Sequence, residues 1–377
     1  MTQLRSEKPV GGDRPNPFGG GGPATRISHL VRSLIGRLLA EPPPPVLPGA
    51  YLELGFRRRW LGFFLPAAFL ALWLMNLAVG FNWETVGLDA RIYYHGSAAW
   101  LAGQDPWATG ALLNGRLFSY AGLPPTAIVL APMTLLPEEA FVWLWLILSI
   151  VAAGVVVRVL RLPVVWVAYP PLLYGVIAAN PHVVVLMLLV AGGTWGGALA
   201  SVLKVVSIPP LVGERRWRAL LLAAAATGVS VVLAPGLWSE FLHQAGAIQT
   251  TINSESGGGL SAWGTPLLFI PTVIALVVLA RIDLRASAWL VVPALFPTTQ
   301  YYYAMFALPV DPFLAATMAF PLPMVPPIMT IAYAAVRLGV VLWRRRGRGP
   351  QQRFPTLGYS QDGRGATETG GATTTGL

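Results

Sequence analysis

The sequence predicts an all-α fold, a polytopic transmembrane helix bundle of about 9–11 spans with amphipathic helices in its first outer loop. Three observations carry that expectation. The 377 residues are 55% hydrophobic and only 11% charged, whereas a soluble domain carries about 25% charge. Such a chain cannot cover itself with a water-compatible surface, so its apolar excess must face lipid. The apolar runs, such as 183–190 and 220–233, do not alternate with polar residues as barrel strands do. Helices satisfy their own backbone in hydrocarbon, so helices are expected.

Cysteine is absent, which excludes disulfides and thiolate chemistry. The net charge of +10 lies mostly in arginine clusters beside apolar segments and in the tails. Topology and anionic lipid account for it, and nucleic acid is not expected as a partner.

Residues 1–23 are rich in Gly, Pro and charge and are expected to be disordered and cytoplasmic. Residues 24–56 come next. Ile27, Leu30, Val31, Leu34, Ile35, Leu38 and Leu39 share one helical face, with Arg26, Arg32 and Arg37 off it. That pattern reads as a basic amphipathic helix lying on the membrane or packed on the bundle. Pro42 to Pro45 then form a stiff linker. The membrane domain spans 57–343, and 344–377 is a basic, then Gly/Thr-rich tail expected to be disordered.

Arg57, Arg58 and Arg59 precede the first span, 60–80, which sets the N-terminus in the cytoplasm. The mixed segment 81–121 is then an outer loop. Further spans are expected at 122–137, 138–158, 163–179, 181–194, 196–212, 217–235, 264–280 and 286–303, with one or two more before 343. The spans at 122–137 and 181–194 are short, as broken helices lining a cavity are. The loop 236–262 has no Lys or Arg and falls outside, while Arg215, Arg216 and Arg218 fall inside. The protein is thus expected to be a multi-pass protein of the plasma membrane, with the lipid bilayer as its first partner.

Ionisable groups are costly in a membrane, so they are the first candidates for function. Asp89 and Tyr93 lie one turn apart if 89–102 is helical, and so share a face. Near a helix start Asp89 would meet unpaired N–H groups, which also suits a plain capping aspartate. Lys204 is the only lysine outside the N-terminal tail and falls inside an expected span. It needs an acid, a carbonyl or an anionic ligand such as phosphate, unless it snorkels to an interface. The outer stretch with Trp238, Glu240, His243 and Asn253, and the polar aromatics Gln300, Tyr301, Tyr302 and Tyr303, suit a sugar. An interfacial aromatic belt has the same composition. No Walker loop, GxGxxG or HExxH is present, and no metal site is expected.

Taken in order, these segments resemble glycosyltransferase family 87. The resemblance rests on Asp89, Tyr93 and Tyr94 in the first outer loop and on Gly103-Gln104-Asp105-Pro106-Trp107 after it. Leu123-Pro124-Pro125, Leu130-Ala131-Pro132 and Leu136-Pro137 match the family's proline-marked second span. Leu203-Lys204 with Pro209 and the turn Arg215-Arg216-Trp217-Arg218 match its lysine-bearing span. It covers about residues 57–305. The family consists of GT-C mannosyltransferases that use polyprenyl-phosphate sugars.

The resemblance implies a GT-C-like bundle and inverting transfer of a hexose, mannose first. The donor would be a polyprenyl-phosphate sugar, a substrate rather than a cofactor, and the acceptor a lipid-linked or cell-envelope glycan. Asp89 would be the general base. Lys204, Arg91 or Arg116 would stabilise the leaving phosphate, with Tyr93, Tyr94, His95, His243, Asn253, Gln300 and Tyr302 around the substrates. Two motifs depart from the family. Its Pro-x-Ser-Trp-x-His is Pro297-Thr298-Thr299-Gln300-Tyr301-Tyr302 here, so any role of that histidine falls to Tyr302, His95 or His243. Its Gly-Gln-x-Asn is Ala178-Ala179-Asn180-Pro181-His182. A lipid-carrier flippase or transporter, or an inactive glycolipid-binding scaffold, remains the alternative. A transport path would need more charge at mid-depth than Lys204 alone.

Overall fold

The computed structural model describes residues 83–255, 260–297, 299–320 and 324–347, with positions 68, 69, 71, 74, 75 and 322. The N-terminal tail, the basic amphipathic segment and linker, nearly all of the first span and the C-terminal tail beyond 347 lie outside the described residues. What is described is mostly helical. In chain order come α1 (Leu88–Leu101), a hairpin of β1 (Gly110–Leu113) and β2 (Arg116–Ser119), then α2 (Pro124–Leu130) and α3 (Glu138–Val159). After them run α4 (Pro170–Ile177), α5 (Pro181–Ala191), α6 (Gly193–Leu203) and α7 (Ile208–Gly213). Next are α8 (Trp217–Leu233), α9 (Pro235–Glu255), α10 (Pro266–Ile282) and α11 (Leu284–Leu295). The described part closes with α12 (Pro312–Thr317) and α13 (Val325–Gly347).

Proline sits in the first turn of α2, α4, α5, α7, α10 and α12. A first-turn residue has no intrahelical use for its N–H, so proline starts a helix there without loss. The many prolines thus explain why the apolar sequence is divided into short helices. Two described helices, α3 and Val325–Trp343 of α13, are long and apolar enough to cross a membrane. A third candidate is the pair Trp217–Leu233 and Pro235–Thr251, bent by 104° at their junction. On α3, Trp143, Ile147, Ile150 and Val151 are all more than half exposed. The opposite face, with Phe141, Trp145, Ala152 and Val156, is buried. A helix apolar on both its buried and its exposed face is suited to lipid.

The helices pack as neighbours in sequence and in space. α3 lies on α5, α5 on α6, α6 on α8, α10 on α11 and on α13, and α11 on α7. At one end of the α6, α7 and α11 group, Glu214 binds Arg285 Nε at 3.1 Å and Arg216 at 3.6 Å, and accepts Trp289 Nε1–H at 3.0 Å. Arg216 also donates to the carbonyl oxygens of Leu189 and Gly193. The basic turn read as a topology signal is therefore also a buried lock between helices.

Four features differ from the sequence reading. First, the segment expected to be an outer loop contains a β-hairpin beside its helix α1, with Gly110 opposite Ser119 and Leu113 opposite Arg116. Its turn, Asn114-Gly115, has φ of 52° and 73°, the left-handed pair that a two-residue hairpin turn requires. Second, Lys204 is not inside a helix. α6 ends at Leu203, and Lys204 is extended, with φ −153° and ψ 126°. Third, most of the expected loop 236–262 is helix, since α9 runs over Pro235–Glu255. Fourth, the segment read as a span over 286–303 is α11 followed by a short 3-10 helix, Tyr301–Ala307.

Candidate functional site

The site forms where the start of α1 meets the end of α4. Gly87 N–H donates to Ile177 O at 2.8 Å, and Asp89 N–H donates to Ala178 O at 2.9 Å. Helix starts have spare N–H groups and helix ends have spare carbonyls, so each end satisfies the other. Gly87 permits the approach. Its φ is 73°, and a Cβ placed there would lie 2.4 Å from Val142 Cγ1. Asp89 does not cap its own helix, whose N-cap Gly87 has no side-chain bond. Its carboxylate faces away, toward α5.

The α4–α5 junction supplies its partner. Ala179 N–H donates to Val176 O and Asn180 N–H donates to Gly175 O, a Schellman closure with Ala179 left-handed at φ 52°. This turn brings Asn180 round to face α1. Asn180 Nδ2 donates to Asp89 Oδ2 at 2.6 Å. Its Oδ1 accepts His182 N–H at 2.8 Å as the cap of α5, and His182 Nδ1 also contacts it.

Lys204 closes the cluster from the break after α6. The Thr126 hydroxyl lies 3.1 Å from Val202 O and 3.0 Å from Leu203 O, holding the helix end open. The Lys204 ammonium stands 4.9 Å over the Tyr93 ring, a favourable cation–π position. It acts electrostatically on Asp89 and Tyr303. It is turned inward rather than snorkelling. Behind it, His182 packs against Tyr303 at 4.6 Å and Tyr302 at 5.2 Å between ring centroids. Tyr302 and Tyr303 come from the 3-10 helix after α11, and both are buried.

Protein surrounds the Asp89 carboxyl, yet its side chain keeps a partial opening to the surface. Burial pushes its pKa up to about 6, while the Asn180 hydrogen bond and the Lys204 charge both pull it down. Burial and, second, the Asp89 charge hold the Tyr93 phenol well above its ordinary value. The arrangement is a carboxylate that can take a proton near neutral pH, beside a buried cation that can meet an anion. Among the described residues no three His, Asp or Glu side chains gather as a metal site would require.

Of the residues singled out in the sequence, Asp89, Tyr93, Lys204, Tyr302 and Tyr303 come together here. The others do not. Arg91 bonds Val86 O and pairs with Glu138 at 3.5 Å and Glu139 at 3.3 Å. His95 meets Glu138 at 3.4 Å, and Tyr94 donates to Leu136 O. Arg116 donates to Ser254 O and lies over Phe118. His243 is exposed and holds Ser239 O within its own helix. Gln300 is the N-cap of the 3-10 helix, without a side-chain capping bond. The Asn253 side chain lies outside the described residues.

Asn180 and His182 appear in the sequence only as a departure from a family motif, and nothing in it gives them a role in the site. For Asn180 a signal existed: Asn followed by Pro before an apolar run marks an N-cap and first helical residue. A cleft lies beyond Tyr93. Trp107, Ser119, Tyr120, Gln244, Ala247, Ile248 and Thr251 line it, and the Tyr120 ring meets Tyr93 edge to face at 5.4 Å. Comparison with family models, with curated proteins and with solved structures gave no match.

Proposed function

We propose that the chain is an integral membrane glycosyltransferase of the family 87 type, built as a GT-C-like polytopic bundle. It moves a hexose, mannose first among the candidates, from a polyprenyl-phosphate donor to a lipid-linked or cell-envelope glycan. The transfer takes place at the outer face of the plasma membrane and inverts the anomeric centre. One observation supports this reading above the rest. A single partly open cluster holds Asp89, free to act on a proton, and Lys204, which no carboxylate within 4.0 Å neutralises among the described residues.

The chemistry follows from those two charges. The acceptor hydroxyl oxygen forms a bond to the sugar C1 as the C1–O bond to phosphate breaks. The hydroxyl proton passes to the Asp89 carboxylate, whose raised pKa matches it to work near neutral pH better than a free carboxylate. The electron pair leaves with polyprenyl phosphate, whose added negative charge Lys204 stabilises. Arg91 already answers two glutamates, so Lys204 is the cation assigned to the phosphate. Tyr93, Tyr302 and Tyr303 wall the site with rings, which suit a sugar's apolar faces.

The experiment is direct. Purified protein is incubated with radiolabelled polyprenyl-phosphate mannose and host envelope lipids. A labelled glycolipid that depends on Asp89 supports the reading. Donor consumed equally well by Asp89→Asn, or no labelled product from any prenyl-linked hexose tried, counts against it.

A further inference from the structure

Asn180 has a side chain whose orientation is decided by its neighbours. The His182 backbone N–H can only donate, so the Asn180 atom facing it at 2.8 Å must be the oxygen. The amide nitrogen therefore faces Asp89 Oδ2 at 2.6 Å, where it can only donate. The same oxygen meets His182 Nδ1, which must then carry the ring proton. His182 Nε2 is left as a lone pair, buried and without a hydrogen-bond partner among the described residues. The ring is clamped between Tyr302, Tyr303 and Phe306. A neutral relay thus runs from a clamped imidazole, through one amide, to one carboxylate.

We propose that Asn180 is the positioning residue for Asp89, and that His182 sets the direction in which its amide points. The proposal rests on the reading of Asp89 as the base. Asn180 does three things at once. It aims one carboxylate oxygen at α5, which leaves Oδ1 for the acceptor hydroxyl. It favours the ionised carboxylate by donating to it, without bringing a charge. It cannot flip, because a flip would set its oxygen against the carboxylate and its NH2 against two donors. The other groups around Asp89 are Lys204 after α6, Tyr174 of α4, Tyr302 and Tyr303 after α11, and Tyr93 on its own helix. Glu138 and Glu139 of α3 face Arg91 and His95 instead.

The test reads the proton on Asp89 itself. Infrared difference titration of the purified protein shows the protonated carboxyl band, and the band lost in Asp89→Asn belongs to Asp89. In the wild type its midpoint is expected near pH 6. Asn180→Ala should move the midpoint upward, a gain of about tenfold in proton affinity. His182→Phe, which keeps a ring but loses the donor, should move it the same way by less. His182→Asn, which restores an N–H near the lost one, should return it toward the wild type. If Asn180→Ala does not fold, the two His182 variants decide. An unmoved midpoint in every folded variant overturns the proposal. The measurement needs no turnover, so an active Asp89→Asn would sink the transferase reading while the titration still judged Asn180.

Discussion

Asn180 Nδ2 donates to Asp89 Oδ2 at 2.6 Å across 91 positions of sequence. Neither residue could reach the other from a straight span. Asp89 is brought by the docking of α1 on the carboxyl end of α4, and Asn180 by the left-handed turn at Ala179. The bond is therefore a product of two helix ends meeting.

Asp89→Asn should lower transfer at pH 7 by about 10²–10⁴-fold, the usual contribution of a positioned base, and leave the fold intact. The pH dependence of stability gives a second check. The folded pKa of about 6 lies above the ordinary 3.8, so the native state holds this proton more tightly than the unfolded chain. That contribution favours folding below about pH 3.8 and is lost as pH rises through about 6. Asp89→Asn should thus be more stable than the wild type at pH 7, by on the order of 1–3 kcal/mol, and flatter between pH 4 and 7. Thermal unfolding in detergent across that range measures it.

Lys204→Met should raise the KM for the prenyl-phosphate donor by about tenfold or more, with a smaller effect on the acceptor. Lys204→Arg should retain part of the donor affinity because it keeps the charge. Equal donor affinity in Lys204→Met would remove the lysine from the phosphate role.

Gly87→Ala meets two obstacles, a φ of 73° and a methyl 2.4 Å from Val142. The backbone alone costs about 1–2 kcal/mol. A melting temperature lowered by several degrees is expected, and Val142→Ala should recover only the contact part. Because Gly87 sets the dock of α1, the Asp89 infrared band should broaden in this variant.

Ala179→Gly works in the opposite direction. Ala179 is left-handed at φ 52°, which glycine adopts without strain, so stability should rise by about 0.5–1 kcal/mol. A fall in melting temperature would mean that packing of the Ala179 methyl outweighs its backbone strain.

Glu214→Gln removes the acid that Arg216 and Arg285 share. Arg216 is buried and Arg285 half-buried, and leaving a buried cation without its acid costs up to about 3–5 kcal/mol, so this variant should unfold at a lower temperature. Transfer by the fraction that stays folded should be near normal, since the lock involves none of the site residues.

Several elements were open to reading in the sequence because their causes are local. The helix at 88–101 follows from its spacing, and α3 from a long apolar run. The hairpin turn was equally local, since Asn114-Gly115 between apolar residues is a strong short-range signal, but the segment was read as helical loop. The charge of Lys204 marks it in the sequence as unusual, but its extended setting after α6 is not legible there. Val202 and Leu203 have good helix neighbours, and only the Thr126 hydroxyl, 76 residues away, accounts for the carbonyls freed at the break.

Composition and local pattern by themselves determined that this chain is helical, apolar and interrupted by proline, and that Asp89 and Lys204 are its conspicuous charges. Apolar area and backbone preference act within a few residues, so they can be read along a line. Tertiary structure alone decided that Asp89, Asn180, His182, Lys204, Tyr302 and Tyr303 form one cluster, while Arg91, Arg116 and His243 turn elsewhere. Hydrogen bonds and charge pairs act over a few ångströms in space, and the side chains they join lie as far apart in the chain as Asp89 and Tyr303.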